Sequence, residues 1–310
     1  MLNRRARAIL NRFIVAESAL LGVGSESSVF AIDATQVLRI YRPHITWEYV
    51  GARLALVEKI RAQAGATLPA LPEVLSVNAW ADQVYTVERR MPGRDFARVI
   101  PTLTGADRVR ALTSFVDAAA QIGRVRFDDA PFGELLENAN TIHRAVWVDY
   151  LWAKLTATLA TSRPALVQDV PELDAVLAHL RRELEKLAPM TEKRLVHGDY
   201  FAGNVFIDDD LQICGLGDFG YSTLVGDPRM DLAAAVAFWD LPTDLMPPAQ
   251  VADDCALLMD LLVARGGQEI EPVVQLYRLY YSLYFSGCGE DDPTTYAWCV
   301  RNLRAAAHLL

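Results

Sequence analysis

The stretch Leu195 to Leu232 reads LVHGDYFAGNVFIDDDLQICGLGDFGYSTLVGDPRMDL. It carries H-x-D-x-x-x-x-N at His197, Asp199 and Asn204, and Asp218-Phe219-Gly220 begins fourteen residues after Asn204. Phosphoryl transfer needs a carboxylate to take the acceptor hydroxyl's proton and hard oxygen ligands for Mg²⁺. Asp199 meets the first need, and Asn204 and Asp218 meet the second. Local patterning explains how the three could converge. Arg194-Leu195-Val196 is short and largely apolar, and Val205-Phe206-Ile207 and Leu211-Gln212-Ile213-Cys214 read as short strands. Asp208-Asp209-Asp210 between them reads as a hairpin turn. That hairpin would hold Asn204 at one end and Asp218 at the other, on the same edge. Alone, H-x-D is commonly a surface pair and Asp-Phe-Gly a turn. Their order and spacing point to a site.

His-Gly-Asp-Tyr-Phe-Ala-Gly-Asn-Val, the later Gly-Asp-Phe, and Gly226-Asp227-Pro228-Arg229-Met230-Asp231-Leu232-Ala233 together resemble the aminoglycoside phosphotransferase and choline kinase superfamily. These are small-molecule kinases with a protein-kinase-like fold. The resemblance covers most of the chain and is specific in this block. It implies Asp199 as catalytic base, Asn204 and Asp218 as Mg²⁺ ligands, and Asp231 as a brace for the catalytic loop from the next helix. His197 is expected to support the loop by hydrogen bonding and to do no chemistry. Only eight residues separate Asp218 from Asp227. Protein kinases need a long phosphorylatable loop and an A-P-E motif there, so the short connection weighs against a protein acceptor.

Upstream, Gly22-Val23-Gly24-Ser25-Glu26-Ser27-Ser28-Val29 fits G-x-G-x-x-G-x-V with Ser27 in the third glycine position. Glycines let backbone N–H groups approach phosphates, and the hydroxyls of Ser25, Ser27 and Ser28 can add donors. The same residues also fit a plain hairpin turn. Val29–Ile32 and Gln36–Tyr41 read as paired strands. The resembled fold places a lysine on the second of these to hold ATP phosphates. Arg39 stands in that slot, with Arg42 as a second candidate. A helix follows, Thr46 to Ala64, with Thr46 as N-cap and Val50, Leu54, Val57 and Ile60 on its core face. The family's helix offers a Glu to the strand's cation. Glu58, beside the apolar stripe, is preferred over Glu48 for that pairing. Glu88-Arg89-Arg90-Met91-Pro92-Gly93 corresponds to the hinge where backbone meets the adenine, so Glu88, Arg90 and Met91 join the nucleotide-binding candidates.

The rest of the pattern is helical: Ala106–Phe127, Ile142–Thr161 and Pro171–Leu187 before the catalytic block. Pro228–Trp239, Pro248–Gly266, Glu271–Phe285 and Thr294–Leu309 follow it, the first capped by Asp227 with Pro at its opening position. Aromatic residues within these helices, Tyr277 and Tyr280 among them, read as core.

At 310 residues, 52% hydrophobic and 22% charged, the chain can bury a bilobed enzyme's core and is not disordered. A net charge of -9 argues against a nucleic-acid partner. From residue 211 onward thirteen Asp and Glu stand against five Lys and Arg. Residues 1–60 carry eight basic and five acidic. An anionic nucleotide suits the first segment and a cationic acceptor the last. Asp240, Asp244, Glu290, Asp291 and Asp292 lie in the loops expected to meet that acceptor, although ordinary surface solvation would leave the same imbalance. Cys214, Cys255, Cys288 and Cys299 form no C-x-x-C pair and read as buried thiols of a cytoplasmic protein. The N-terminal arginines suggest a signal peptide only superficially, because Arg12 and Glu17 break the apolar run. No run approaches the roughly twenty apolar residues of a membrane span.

The expectation is an α+β, bilobed, protein-kinase-like fold. Residues 1–91 form an ATP-binding lobe with a five-stranded antiparallel sheet and one packed helix. Residues 92–310 form a mainly helical catalytic and acceptor-binding lobe. The expected chemistry is transfer from ATP, or GTP, with Mg²⁺ to a hydroxyl of a small cationic molecule, aminoglycoside-like ahead of choline-like, by a monomer or homodimer. A nucleotide-binding pseudokinase is the rival from another class, and Arg39 in place of lysine keeps it open. A metal-dependent hydrolase lacks the His-rich or paired-metal ligand set it would need.

Overall fold

The first helix, α1 (Arg4–Arg12), begins where Asn3 accepts the N–H of Ala6 at 2.8 Å. It is capped at Phe13, and Ile14 then enters the left-handed region at φ 56°. The computed structural model describes residues 2–241 and 245–309, and Asp244 lies outside them. Strands β1 (Leu20–Val23), β2 (Ser27–Ala31) and β3 (Gln36–Tyr41) follow α1. Then come α2 (Trp47–Ala64), β4 (Val74–Trp80) and β5 (Gln83–Arg89). The five strands form one antiparallel sheet in the order β1-β2-β3-β5-β4. Period-two alternation sorts its faces. Phe30, Leu38, Ile40 and Tyr85 bury against Ala6, Ile9 and Leu10 of α1. Tyr41 and Val84 look the other way, toward Ile45 and Val50. Arg39, set between Leu38 and Ile40, shares the face of Tyr41 and Val84, which α2 covers.

Helix α2 starts as its sequence says it should, with the Thr46 hydroxyl accepting the Tyr49 N–H at 3.2 Å. Its second half, Leu56, Val57, Ile60 and Ala64, is continuous with the large core of the helical part. Helix α2 therefore reaches from the sheet into the body of the molecule.

Beyond Gly93 the chain forms β6 (Arg94–Asp95), α3 (Phe96–Val99) and α4 (Gly105–Ile122). Next are β7 (Phe132–Glu134), β8 (His143–Arg144), α5 (Trp147–Asp169) and α6 (Leu173–Glu185). The catalytic block contributes β9 (Arg194–Val196), β10 (Val205–Ile207), β11 (Ile213–Leu216) and β12 (Leu224–Gly226). Four helices close the chain: α7 (Arg229–Ala237), α8 (Pro248–Gly266), α9 (Ile270–Tyr284) and α10 (Pro293–Ala307). Two small sheets frame the block, β11-β10-β6 and β8-β7-β12-β9. Helix α5 runs through Pro164 to Asp169, past the expected end at Thr161. The four cysteines are free; Cys299 is buried, while Cys214, Cys255 and Cys288 are only half-buried, not buried as expected. Among the described residues no helix is long and apolar enough to cross a membrane.

Candidate active site

The loop after β9 is held from three sides. Gly198 sits at φ 78°, and a Cβ there would meet the Ser222 carbonyl oxygen at 1.9 Å, so only glycine fits. The buried carboxylate of Asp231, in the first turn of α7, accepts the backbone N–H of His197 at 2.7 Å and of Gly198 at 3.0 Å. Burial pushes its pKa up to about 7 against the pull of those two donors. Tyr200, also buried, donates its hydroxyl to the Phe115 carbonyl of α4 at 2.6 Å. The His197 ring is buried, and burial lowers its pKa, so the imidazole is neutral. Its Nε2 lies 2.8 Å from the Gly217 carbonyl, and its Nδ1 accepts the Asp199 N–H at 3.3 Å. Both ring nitrogens are thus committed to backbone, a supporting arrangement that leaves none for proton transfer.

Asp199 emerges from this loop half-buried. Burial first, and then the negative charge of Asp218, raise its pKa to about 7. The Asn204 side-chain NH₂ donates to the Asp199 carbonyl at 2.9 Å and to its Oδ2 at 3.2 Å. That orientation leaves the Asn204 amide oxygen as a free acceptor. The turn of the β10–β11 hairpin is made by Asp208, whose Oδ1 accepts the N–H groups of Asp210 and Gln212 at 3.0 and 2.8 Å. At the other end the Gly217 N–H donates to the Asn204 carbonyl at 2.8 Å, which draws Asp218 to the Asn204 edge. The Asp218 carboxylate is 56% exposed, so it faces the cleft and not the core. Two hard oxygen donors on one edge, beside an ionisable carboxylate, fit Mg²⁺, with its remaining positions left to phosphates and water.

On the sheet side, Arg39 points into the same cleft. Its Nε donates to Glu88 Oε1 at 2.8 Å, its Nη2 to Oε2 at 3.2 Å, and its Nη1 to the Ser27 hydroxyl at 3.1 Å. The partner expected from α2, Glu58, does not make this pair. It is exposed and bound to Arg61 one turn along the same helix. Glu88 takes its place because β3 and β5 are antiparallel with Arg39 opposite Thr86, which puts Glu88 two residues along on the same face. Burial alone would raise the Glu88 pKa, but Arg39 outweighs it and holds the carboxyl below its ordinary range. The Glu88 side chain is therefore the counter-ion of Arg39. Gly24 and Ser27 form a tight turn, Gly24 N–H to Ser27 carbonyl at 2.9 Å, while Gly22 lies in β1. Ser25 is at the turn's tip, Ser28 is buried in β2, and Arg42 donates to the Gly24 carbonyl at 3.3 Å. At the hinge, the Arg90 N–H is committed to the Thr35 carbonyl at 2.7 Å. Met91 lies half-buried over Gly215, where a Cβ would meet its Cε at 2.7 Å.

One charged residue of the cleft escaped the sequence reading. Arg53 of α2 donates to Glu26 Oε2 at 2.7 Å, to Asp218 Oδ1 at 2.8 Å and to the Phe219 carbonyl at 3.0 Å. Glu26 also accepts the Tyr49 hydroxyl at 2.6 Å, and Tyr49 stacks on Tyr221 at 4.8 Å. The available signal was an arginine placed inside the apolar stripe, three residues after Val50 and four before Val57.

The sequence matches the phosphotransferase enzyme family (APH) over residues 19–260. The chain belongs to that family. Among solved structures, the GDP and kanamycin complex of APH(2")-IIIa is similar at TM-score 0.60, with 14% identity over 97% of each chain. The streptomycin–ATP ternary complex of APH(2")-IIa matches at TM-score 0.55 and 15% identity, over 98% of this chain and 97% of the other. Macrolide 2'-phosphotransferase type I matches at 0.55 and 16%, over 97% of each. At such identities the likeness establishes the α+β, kinase-like fold. No curated protein matches by sequence comparison. Family membership makes the chain a phosphotransferase.

Of the carboxylates expected to meet the acceptor, Asp240 and Asp292 are engaged by other residues of the chain. Asp240 accepts the Trp298 indole N–H at 2.7 Å and is paired with Arg278 at 3.3 Å and Arg301 at 3.1 Å. Its charge is neutralised within the helical body. Asp292 caps α10, accepting the Thr295 N–H at 3.0 Å and hydroxyl at 2.7 Å. Asp291 is exposed beside it, and the side chain of Glu290 lies outside what the structure describes. A different group stands near the base. Glu134 of β7, almost fully buried, is paired with Lys154 of α5 at 2.6 Å, and the Lys154 ammonium lies 5.6 Å from the Tyr284 ring centre. Tyr284 is stacked with Tyr280, and burial first, then the charges of Glu134 and Asp199, push its pKa up. Tyr277, by contrast, is core, donating to buried Asp227 at 2.5 Å.

Proposed function

We propose that the chain transfers the γ-phosphoryl group of ATP, or of GTP, with Mg²⁺, to a hydroxyl of a small amine-bearing molecule. The observation that carries this reading is the meeting of Asp199, Asn204 and Asp218 on one edge, behind a loop braced by Asp231. The ATP and GDP complexes of the similar structures support a purine nucleotide. Asp199 orients the acceptor hydroxyl and takes its proton. The Asn204 amide oxygen and the Asp218 carboxylate would hold Mg²⁺. The ion, when bound, would supply neutralisation of charge on the phosphates. Arg39, fixed by Glu88, keeps Nη1 toward Ser27 and the loop where phosphates would lie.

Arg39→Ala is expected to raise the KM for ATP and, by leaving Glu88 buried and unpaired, to lower the melting temperature. Arg39→Lys should retain part of both, since it keeps the charge but not the two-pronged contact. Steady-state kinetics and thermal denaturation check this. If Arg39→Ala leaves both values unchanged while Arg42→Ala raises KM, the phosphate-holding role passes to Arg42.

The amine on the acceptor is supported by the kanamycin and streptomycin complexes of the similar structures. The test is kcat/KM for an aminoglycoside, choline and a neutral sugar across a salt series. Turnover of the cationic acceptors should fall as salt rises, because screening shortens the reach of the carboxylates. A neutral acceptor that is best at every salt concentration would overturn the amine preference.

A further inference from the structure

The helix that covers the sheet, α2, would be expected to offer a carboxylate to the cleft, and instead it offers a cation. The Arg53 side chain is 14% exposed, and each edge of its fork has a different partner. Nη1 meets Glu26 in the turn after β1, Nη2 meets Asp218, and Nε meets the Phe219 carbonyl. The cleft's other cation, Arg39, is already balanced by Glu88. Arg53 therefore neutralises two further carboxylates, one on the turn after β1 and one on the hairpin.

Asp218 cannot serve Arg53 and a divalent cation equally. A guanidinium and a metal ion on the same carboxylate repel each other. Phe219 offers its neutral carbonyl, so that contact survives when Asp218 is claimed. The freed Nη2 is then an unpaired, charge-bearing donor at the edge where terminal phosphates would lie, and a guanidinium fork suits phosphate oxygens.

We propose that Arg53 is a phosphate ligand held in reserve. In this structure it pairs with Asp218 and Glu26. When a divalent cation takes Asp218, the Arg53 guanidinium, still anchored to the Phe219 carbonyl, turns Nη2 to the outer phosphates of the nucleotide. This inference rests on the nucleotide and metal reading above.

The test uses the full chain and the variants Arg53→Met and Arg53→Lys. Calorimetry gives affinities for adenosine, ADP and a non-hydrolysable ATP analogue with Mg²⁺, and electron paramagnetic resonance follows Mn²⁺ binding without nucleotide. For Arg53→Met, adenosine affinity should stay within about twofold while affinity for the triphosphate falls about tenfold or more, the scale of one hydrogen bond to a charged group. ADP should lose less. Mn²⁺ alone should bind several-fold more tightly, because its competitor for Asp218 is gone. Arg53→Lys should recover part of the triphosphate affinity, and it reads the same ratio if the methionine variant does not fold. An equal loss for all three ligands would mark Arg53 as a strut and overturn the proposal, as would unchanged triphosphate affinity or weaker Mn²⁺ binding. Failure of the unaltered protein to bind any of the three ligands would instead overturn the nucleotide reading itself.

Discussion

Replacing Asp199 with asparagine is expected to lower kcat by on the order of a hundredfold or more while leaving nucleotide affinity close to its original value. The side chain keeps its shape, and its amide oxygen can still accept from Asn204, which now holds Asp199 through contacts of 2.9 and 3.2 Å. What is lost is the basic oxygen. Burial and the nearby Asp218 bring the carboxyl to a pKa of about 7, a range in which a group exchanges protons readily near neutrality. A metal ion beside Asp218 would relieve that repulsion and favour the ionised base. On the proposed reading the nucleotide meets the opposite wall, at Arg39 and the turn after β1, so binding has no reason to change. The measurement is kcat with saturating acceptor, alongside a calorimetric nucleotide titration. A kcat within a few-fold of the original would remove Asp199 from its assigned role.

Asp231→Ala should have the largest effect on folding and a large secondary effect on turnover. The substitution strips the acceptor from two backbone N–H groups, those of His197 and Gly198, in a place without solvent. Each buried unpaired donor costs about 1–3 kcal/mol, so several kcal/mol of stability are at stake. The loop should also lose its fixed path, since Gly198 has no side chain to hold it. The unfolding midpoint in urea should fall clearly and kcat should drop at least tenfold. Asp231→Asn should be intermediate, because its carbonyl can satisfy one donor while its NH₂ opposes the other. A midpoint and kcat both equal to the original would show that the brace is dispensable.

The site was legible where its residues are close in sequence. The acidic turn at Asp208 and the Asn204 to Asp218 spacing act over one short stretch, and each does in space what its residue types suggest. Helix α8 was legible for a similar reason, bounded by Pro248 and Gly266. The illegible parts depend on distant registry. The partner of Arg39 is Glu88 because two strands align in one register, which periodicity within a strand does not reveal. The acidic C-terminal region misled because counting charges treats each as free. Asp240 is neutralised by arginines on α9 and α10, and Asp254 is buried against Arg108 of α4. Strands β7, β8 and β12, of two or three residues, are too short to show alternation. Arg53 was hidden by its own context, since a charged residue in an apolar stripe looks like an interruption until its partners are seen.

Asp218 is held with its backbone in the left-handed region, at φ 59°. Glycine occupies that region without cost, and asparagine and aspartate tolerate it better than other side chains, whose Cβ crowds the following carbonyl. The position is thus constrained twice, by charge and by conformation, and the two constraints admit different substitutes. Glutamate keeps the charge and loses the conformational ease; asparagine and glycine keep the backbone and lose the charge. Asparagine and glycine are each one nucleotide away from either aspartate codon. A lineage that ceased to select for phosphoryl transfer would therefore find inactivation here structurally cheap, and its drift at this position would run toward asparagine or glycine before alanine or valine.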